Sequence, residues 1–185
     1  MNEIHEPDKV IAIDLPRVSK QSLLISLAAL FILFALNAGI KRSLSFNITF
    51  WNLFLFVAGY IILIVLHELF HLLGFRLFGR VPWKKMIVGV NLKLGIAYAT
   101  TDQLMTNKAI RKALLLPFWM TGVVPAVVGI YFGHGVLISL SALLIGGAAG
   151  DFAMYKQLFK LPDDWLVRDD PKLPRLYVYS PNRII

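Results

Sequence analysis

The chain has 185 residues, enough for about one domain, and 57% of them are hydrophobic while only 16% are charged. With a mean hydropathy of +0.67, this composition excludes an ordinary soluble globular domain. Cysteine is absent, which excludes disulfides, thiolate metal sites and a cysteine nucleophile. The net charge of +8 comes from basic residues at the ends of apolar segments, which favours a lipid bilayer over nucleic acid as the partner.

Four apolar segments are each long enough to cross a bilayer as a helix. They cover about residues 23–40, 51–75, 113–132 and 136–155, and the third contains Pro117 and Pro125 as predicted kink points. We therefore expect an α-helical integral membrane protein with about four transmembrane helices. We interpret residues 1–185 as a single membrane-embedded domain, with a leader at 1–21, a membrane core at 22–155 and a tail at 156–185.

The distribution of lysine and arginine predicts the orientation of these helices. The leader, the connection at 76–112 and the tail carry nearly all the basic residues, whereas the other side keeps only Lys41 and Arg42. By the positive-inside rule, both termini are expected in the cytoplasm of a multi-pass protein of the cell membrane.

The connection between the second and third segments has its own pattern. From Met86 to Tyr98, apolar residues alternate with a second set that includes glycine and asparagine, which predicts a short β-hairpin at the membrane surface. The tail, with its prolines and the pairs Asp163-Asp164 and Asp169-Asp170, is expected to be an irregular, solvated strap.

The second apolar segment contains the motif His67-Glu68-Leu69-Phe70-His71, an H-E-x-x-H pattern. Two histidines one helical turn apart can hold zinc, and the glutamate between them can act as the base on a zinc-bound water. Glu68 is also the only acidic residue between Asp14 and Asp102, and a charge in such an apolar setting is usually kept for a function.

A structural alternative is that the two histidines lie in a core and that Glu68 pairs with Arg76 or Arg80. Burying three polar groups in an apolar helix without a metal would be expensive. We therefore favour the metal site.

A zinc site of this kind needs a third protein ligand, with one position left open for water. Asp151 is the only acid between Gln103 and Pro162, and it lies about 15 residues into the fourth segment, as His67 lies about 16 into the second. Because these two segments run in the same direction, both residues are expected at the same depth. His134 falls in an external turn and His5 in the leader, so both are weaker candidates.

Glycines support this pairing. Gly74 follows the two histidines on the same helix face, and residues 146–150 contain three further glycines, which together would let the second and fourth helices approach closely.

The motif with its following Leu72-Leu73-Gly74, the later Gly150-Asp151-Phe152 and the tail from Leu161 to Asp169 resemble the zincin peptidase family of small bacterial membrane proteins. The arrangement is also similar to the intramembrane site-2 proteases. The resemblance implies that His67, His71 and Asp151 are ligands of Zn²⁺, that Glu68 is the catalytic base, and that a β-element near the site can receive substrate.

We therefore expect a zinc metallopeptidase that hydrolyses peptide bonds of a membrane protein or peptide substrate, at or within the bilayer near its cytoplasmic face. A membrane protein that keeps the zinc site for structure or partner binding is the main alternative. A metal transporter is a weaker one, because few polar groups could line a path. The oligomeric state does not follow from the sequence.

Overall fold

The computed structural model describes residues 6–42, 49–91, 96–171 and 173–181. Within them, the helices are α1 (Leu15–Lys41), α2 (Phe50–Gly79), α3 (Asn107–Pro117), α4 (Val124–Phe132), α5 (Gly135–Gly147) and α6 (Ala149–Leu158). The strands are β1 (Lys9–Ala12), β2 (Met86–Asn91), β3 (Ile96–Thr101), β4 (Met105–Thr106), β5 (Leu166–Asp169) and β6 (Arg175–Tyr179). A π-helical segment, Phe118–Val123, connects α3 to α4.

Four helical stretches of the described chain are long and apolar enough to cross a membrane: Leu15–Lys41, Phe50–Gly79, Asn107–Phe132 and Gly135–Leu158. The predicted mainly helical chain with four such segments is confirmed. Large apolar side chains on α1 and α2 are exposed, among them Phe31 at 77% and Phe50 at 86%. A helix that is apolar all round, with such side chains on its surface, is typical of a lipid-facing helix.

Contacts divide the described chain into two compact units. The first draws on Met1–Asp14, Glu68–Leu116 and Asp151–Ile185, and the second on Leu15–His67 and Pro117–Gly150. Two of the boundaries between the units fall within helices. One lies in α2, between His67 and Glu68, and another lies in α6, between Gly150 and Asp151. The single domain expected over 1–185 stays a prediction.

A four-stranded antiparallel sheet in the order β1-β6-β5-β4 belongs to the first unit. Its core-facing residues alternate along the strands and join a buried cluster with residues of α2, α3 and α6, including Ile11, Leu72, Phe75, Ala113, Met154, Val167, Leu176 and Val178. The expected irregular tail is therefore wrong. The tail contributes β5 and β6 because its prolines fall outside the strands, where they interrupt no ladder hydrogen bond.

Asn107 ties the beginning of α3 to the end of α6. Its buried side-chain amide donates to the carbonyl oxygens of Leu158, Leu161 and Pro162 at 2.9, 3.0 and 2.9 Å. Leu158 is the last residue of α6, and Leu161 and Pro162 lie in the segment that follows the helix. The contact therefore anchors α6, which carries Asp151.

The predicted hairpin is confirmed. Strands β2 and β3 form a separate antiparallel sheet, in register from Met86 opposite Thr101 to Asn91 opposite Ile96. Residues 92–95, which contain the expected turn, lie outside the described part of the chain. The side chains of Ile87, Val88 and Val90 are 45%, 55% and 65% exposed, so β2 presents apolar groups on its surface.

The glycines make close approaches, but to other helices than expected. In the first unit, a Cβ added at Gly74 would lie 2.7 Å from Ala113 Cα, so α2 packs directly on α3. In the second unit, a Cβ at Gly146 would lie 2.6 Å from the Ser22 carbonyl oxygen of α1, while Gly147 has no atom within 4 Å. For Gly74, Gly146 and Gly147, the prediction that these glycines join the second and fourth helices to each other is therefore wrong.

Candidate metal centre

The H-E-x-x-H motif lies in the C-terminal half of α2. His67 and His71 are four residues apart and therefore share one face of the helix. They are 8% and 6% exposed. By contrast, Leu66, which precedes His67, is 37% exposed, and Leu69, which lies between the two histidines, is 46% exposed. The histidines thus face the protein interior while their apolar neighbours face outward.

Asp151 lies in the first turn of α6 and approaches His71. The distance from His71 Nε2 to Asp151 Oδ1 is 3.3 Å. Two ligands that each lie about 2.0–2.1 Å from a tetrahedral zinc ion are separated by about 3.3–3.4 Å. This pair of donor atoms is therefore spaced as two zinc ligands would be.

His67 completes a group of three donors. One ligand atom each from His67, His71 and Asp151 lies within 4.8 Å of the others. Two imidazoles and a carboxylate are a donor set that catalytic zinc sites use, with the fourth position left for water. The residues chosen from the sequence are thus close together, and their role as ligands stays a prediction.

A backbone carbonyl orients the ring of His71. Its Nδ1 lies 3.2 Å from the carbonyl oxygen of Ala113, which can only accept a hydrogen bond. The proton of a neutral imidazole must then be on Nδ1, which leaves the Nε2 lone pair directed at the site. This is the tautomer that a metal ligand needs, fixed by the kind of outer partner that metal-bound histidines usually have.

Thr121 does the same for His67. The Thr121 hydroxyl donates to the carbonyl of Pro117 at 2.8 Å, so its oxygen is left to accept from His67 Nδ1 at 3.2 Å. That leaves Nε2 of His67 free of the ring proton. Thr121 lies in the π-helical segment, where the hydrogen bonding widens just before Pro125, a residue without an N–H.

The π-helical segment lies between Pro117 and Pro125, the two residues at which the sequence predicts kinks. Neither Thr121 nor the Ala113 carbonyl was singled out from the sequence. A threonine four residues after Pro117 in an apolar stretch was the available signal for the first. A backbone carbonyl has no signal in the residue types.

Glu68 occupies the turn of α2 between the two histidines. It is partly buried, and its carboxylate interacts electrostatically with His71. Arg76 and Arg80, the ion-pair partners of the structural alternative, are both exposed. A carboxylate placed beside two potential ligands, outside the three-donor group, can accept a proton from a molecule bound there.

Among the described residues, His134 is not a member of the three-donor group. It is exposed and caps the N-terminus of α5, where its Nδ1 accepts from the Leu137 N–H at 3.3 Å.

The aspartate pairs of the tail differ from the expectation of a solvated strap. Asp163 is exposed and pairs with Arg111. Asp170, however, has a side chain only 7% exposed, and it accepts from Arg175 Nε at 2.6 Å and the Tyr177 hydroxyl at 2.8 Å. Asp169 is partly buried. For the second pair the prediction is wrong, because the strands that carry it fold into the sheet.

A family model described as "putative zincin peptidase" matches residues 60–166, more than half of the chain. The match begins in α2 shortly before the motif and extends past Asp151 to β5. No curated protein and no solved structure matches the chain. The matched region contains the buried histidines, Glu68 and Asp151, and the chain belongs to this zincin peptidase family.

Proposed function

We propose that this protein is a zinc-dependent membrane metallopeptidase that hydrolyses peptide bonds at or within the bilayer, near its cytoplasmic face. The observation that carries the proposal is the spacing of 3.3 Å between His71 Nε2 and Asp151 Oδ1, with His67 one helical turn away. The fixed tautomers of both histidines support it, because they leave each Nε2 available to a metal. Membership of a zincin peptidase family supports the reaction class.

Zinc held by His67, His71 and Asp151 would polarise the scissile carbonyl and lower the pKa of water toward about 7. Glu68 would accept the proton of the attacking water at its carboxylate and donate it to the leaving amine. The Ala113 carbonyl and the Thr121 hydroxyl would keep the two rings in place through this exchange.

The pairing of strands β1 and β6 supports the proposed orientation in the cell membrane, with both termini cytoplasmic. Strand β1 precedes the first candidate span and β6 follows the fourth, and the two pair over Lys9–Ala12. Strands that pair directly lie on one side of a bilayer, which requires an even number of spans between them. The positive-inside rule makes that side the cytoplasm.

The hairpin is a candidate for substrate binding. Strand β2 has only β3 as a neighbour among the described strands, so its other edge can accept an extended peptide by β-addition. The exposed Val88 and Val90 would contact alternate side chains of such a peptide. Proline at Val88 or Val90 is expected to slow proteolysis without removing zinc, and unchanged proteolysis would contradict this part of the proposal.

Zinc content and cleavage, measured on the same preparations, test the site. We expect purified wild-type protein to hold zinc, His71→Ala and Asp151→Asn to lose it, and His134→Ala, which alters a histidine outside the site, to keep it. Cleavage can be followed with a fluorogenic peptide mixture and with a transmembrane peptide in liposomes. A folded wild-type protein that holds no zinc under metal-replete conditions would refute the proposal.

Glu68→Gln separates catalysis from a purely structural zinc site. The variant should keep its zinc, because Glu68 is not a ligand, and should cleave at least about 100-fold more slowly, because the base is lost. If wild type and Glu68→Gln both bind zinc and neither cleaves either probe, the non-proteolytic alternative is supported instead.

A further inference from the structure

The chain turns sharply where α2 ends. Arg80 follows the helix with a φ of 56°, in the left-handed region that commonly ends an α-helix. The N–H of Val81 then donates back to the carbonyl of Phe75 at 3.2 Å, and both side chains belong to the same buried cluster. The segment after Arg80 is therefore held close to the end of a candidate membrane span.

This segment presents a large aromatic side chain on a fixed backbone. Residues Trp83–Lys85 form one 3-10 turn, in which the Lys85 N–H donates to the Pro82 carbonyl at 2.9 Å. The Thr101 hydroxyl donates to the Lys85 carbonyl at 2.8 Å, which ties the turn to β3. The side chain of Trp83 is nevertheless 56% exposed. An exposed tryptophan beside other apolar groups is typical of a contact surface.

The surroundings of Trp83 are basic. Residues 76–91 include Arg76, Arg80, Lys84 and Lys85 and no acidic residue. All four side chains are exposed, and within the described ranges of the chain none of them forms an ion pair with a carboxylate. A partner that complements this charge must therefore be anionic.

The position of these residues favours lipid over a soluble anion. Leu77 and Phe78, in the last turn of α2, are 59% and 38% exposed, and Trp83 follows the end of that candidate span by four residues. The Nζ of Lys112 lies 5.5 Å from the centre of the Phe78 ring, so α3 adds a further cation beside the same end of α2. Tryptophan and lysine at the end of an apolar helix are typical of the headgroup region of a bilayer, and basic groups there attract anionic lipids.

We propose that this surface docks on the cytoplasmic leaflet of the bilayer and binds the headgroups of anionic lipids. We call it the Trp83 surface, and it consists of Leu77, Phe78, Arg80, Trp83, Lys84 and Lys85. The apolar side chains would lie at the boundary between headgroups and acyl chains, while the cations face lipid phosphates. The docked turn would also hold β2, which begins at Met86, at the bilayer surface.

The proposal rests on the membrane location that is part of the proposed function, and it adds a lipid-binding surface outside the three-donor group. The test uses full-length protein in which Trp83 is the only tryptophan, made with Trp51→Phe, Trp119→Phe and Trp165→Phe. The protein is reconstituted in vesicles of phosphatidylcholine mixed with phosphatidylglycerol, one of the two lipids being brominated. Quenching of Trp83 by each brominated lipid then gives the relative affinity of the surface for the two headgroups.

We expect about a tenfold preference for phosphatidylglycerol, which about 0.5 M salt should weaken. Lys84→Gln/Lys85→Gln should lower the preference at least about fivefold, the contribution of one lysine near an anionic leaflet. Lys41→Gln/Arg42→Gln is the matched control. It removes the same charge from a pair at the end of α1 that is predicted on the opposite side of the bilayer, and it should leave the preference unchanged.

Equal quenching by the two lipids, or a preference that Lys84→Gln/Lys85→Gln leaves unchanged, would overturn the proposal. Trp83 emission that ignores both brominated lipids but shifts with the protein-to-lipid ratio would also overturn it, because a second copy of the chain would then cover the surface. If the protein with a single tryptophan does not fold, thermal unfolding in detergent decides. Phosphatidylglycerol should then stabilise the wild type more than phosphatidylcholine does, and Lys84→Gln/Lys85→Gln should lose this difference; a difference that persists in the variant would overturn the proposal.

Zinc content of the same preparations reports on the metal centre separately. Bound zinc without a headgroup preference would overturn the lipid-binding surface and leave the proposed zinc site standing. A headgroup preference in a protein that holds no zinc would refute the zinc site and support the lipid-binding surface.

Discussion

Gly74→Ala tests whether the close packing of α2 on α3 holds His71 in the orientation that the proposed zinc site needs. The added Cβ would lie 2.7 Å from Ala113 Cα and 2.8 Å from Ala113 Cβ, where carbon atoms normally keep about 3.5–4.0 Å. Backbone atoms cannot rotate away, so the two helices must separate by about 1 Å at this level. Overpacking of this kind costs about 1–3 kcal/mol, of which the better helix propensity of alanine offsets about 1 kcal/mol.

The same displacement acts on the metal centre, because the Ala113 carbonyl is the acceptor for His71 Nδ1 at 3.2 Å. Lengthening this contact by about 1 Å breaks the hydrogen bond, and we expect zinc affinity to fall about tenfold. Thermal unfolding in detergent and chelator competition measure the two effects. Gly39→Ala is the control, since a Cβ there has no atom within 4 Å and brings only the gain in propensity. A Gly74→Ala protein as stable as Gly39→Ala, with wild-type zinc affinity, would refute the reasoning.

Two further predictions concern Thr121, which contacts the proposed ligand His67, and Asp169. Thr121→Val removes the acceptor of His67 Nδ1 and should weaken zinc binding about 10-fold in chelator competition. Ser139→Ala, which removes a similar hydroxyl-to-carbonyl hydrogen bond in α5, is the control and should leave the zinc affinity unchanged. Equal zinc affinities of the two variants would contradict the proposed tautomer of His67. In the folded protein, the carboxyl of Asp169 keeps its proton up to its raised pKa of about 7. Relative to Asp169→Asn, the metal-free wild type should therefore lose on the order of 1–2 kcal/mol of folding stability as the pH rises from about 4 to about 7. Parallel stability curves for the two proteins over this pH range, from chemical denaturation, would show that the carboxyl is not buried as described.

Much of the site could be predicted because its signals are local. The spacing of His67 and His71 places them on a common helix face, and four apolar stretches predict the number of candidate membrane spans whatever the tertiary contacts. Asp151 could be chosen because so few acids occur in the apolar part of the chain. The β2–β3 hairpin was visible because alternation is a short-range pattern.

The remaining features depend on contacts between distant parts of the chain. The pairing of β1 with β6 joins Lys9 to Val178, and no short-range pattern specifies such a partner. Asp169 and Asp170 were predicted to be solvated because charged residues are usually exposed. In the structure, Asp169 is opposite Leu176 in the sheet, and Asp170 pairs with Arg175 and Tyr177. The partner helices of Gly74 and Gly146 were missed for the same reason: small residues predict a close approach without naming the neighbour.

The pairing of β1 with β6 also orders events during synthesis. Residues 9–12 leave the ribosome first but cannot form their ladder until residues 175–178 have followed, after all four apolar helices. The inner strand β5 gains its β6 neighbour equally late, because residues 175–179 follow the same four helices in the chain. The four-stranded sheet therefore closes only after all four apolar helices have been synthesised.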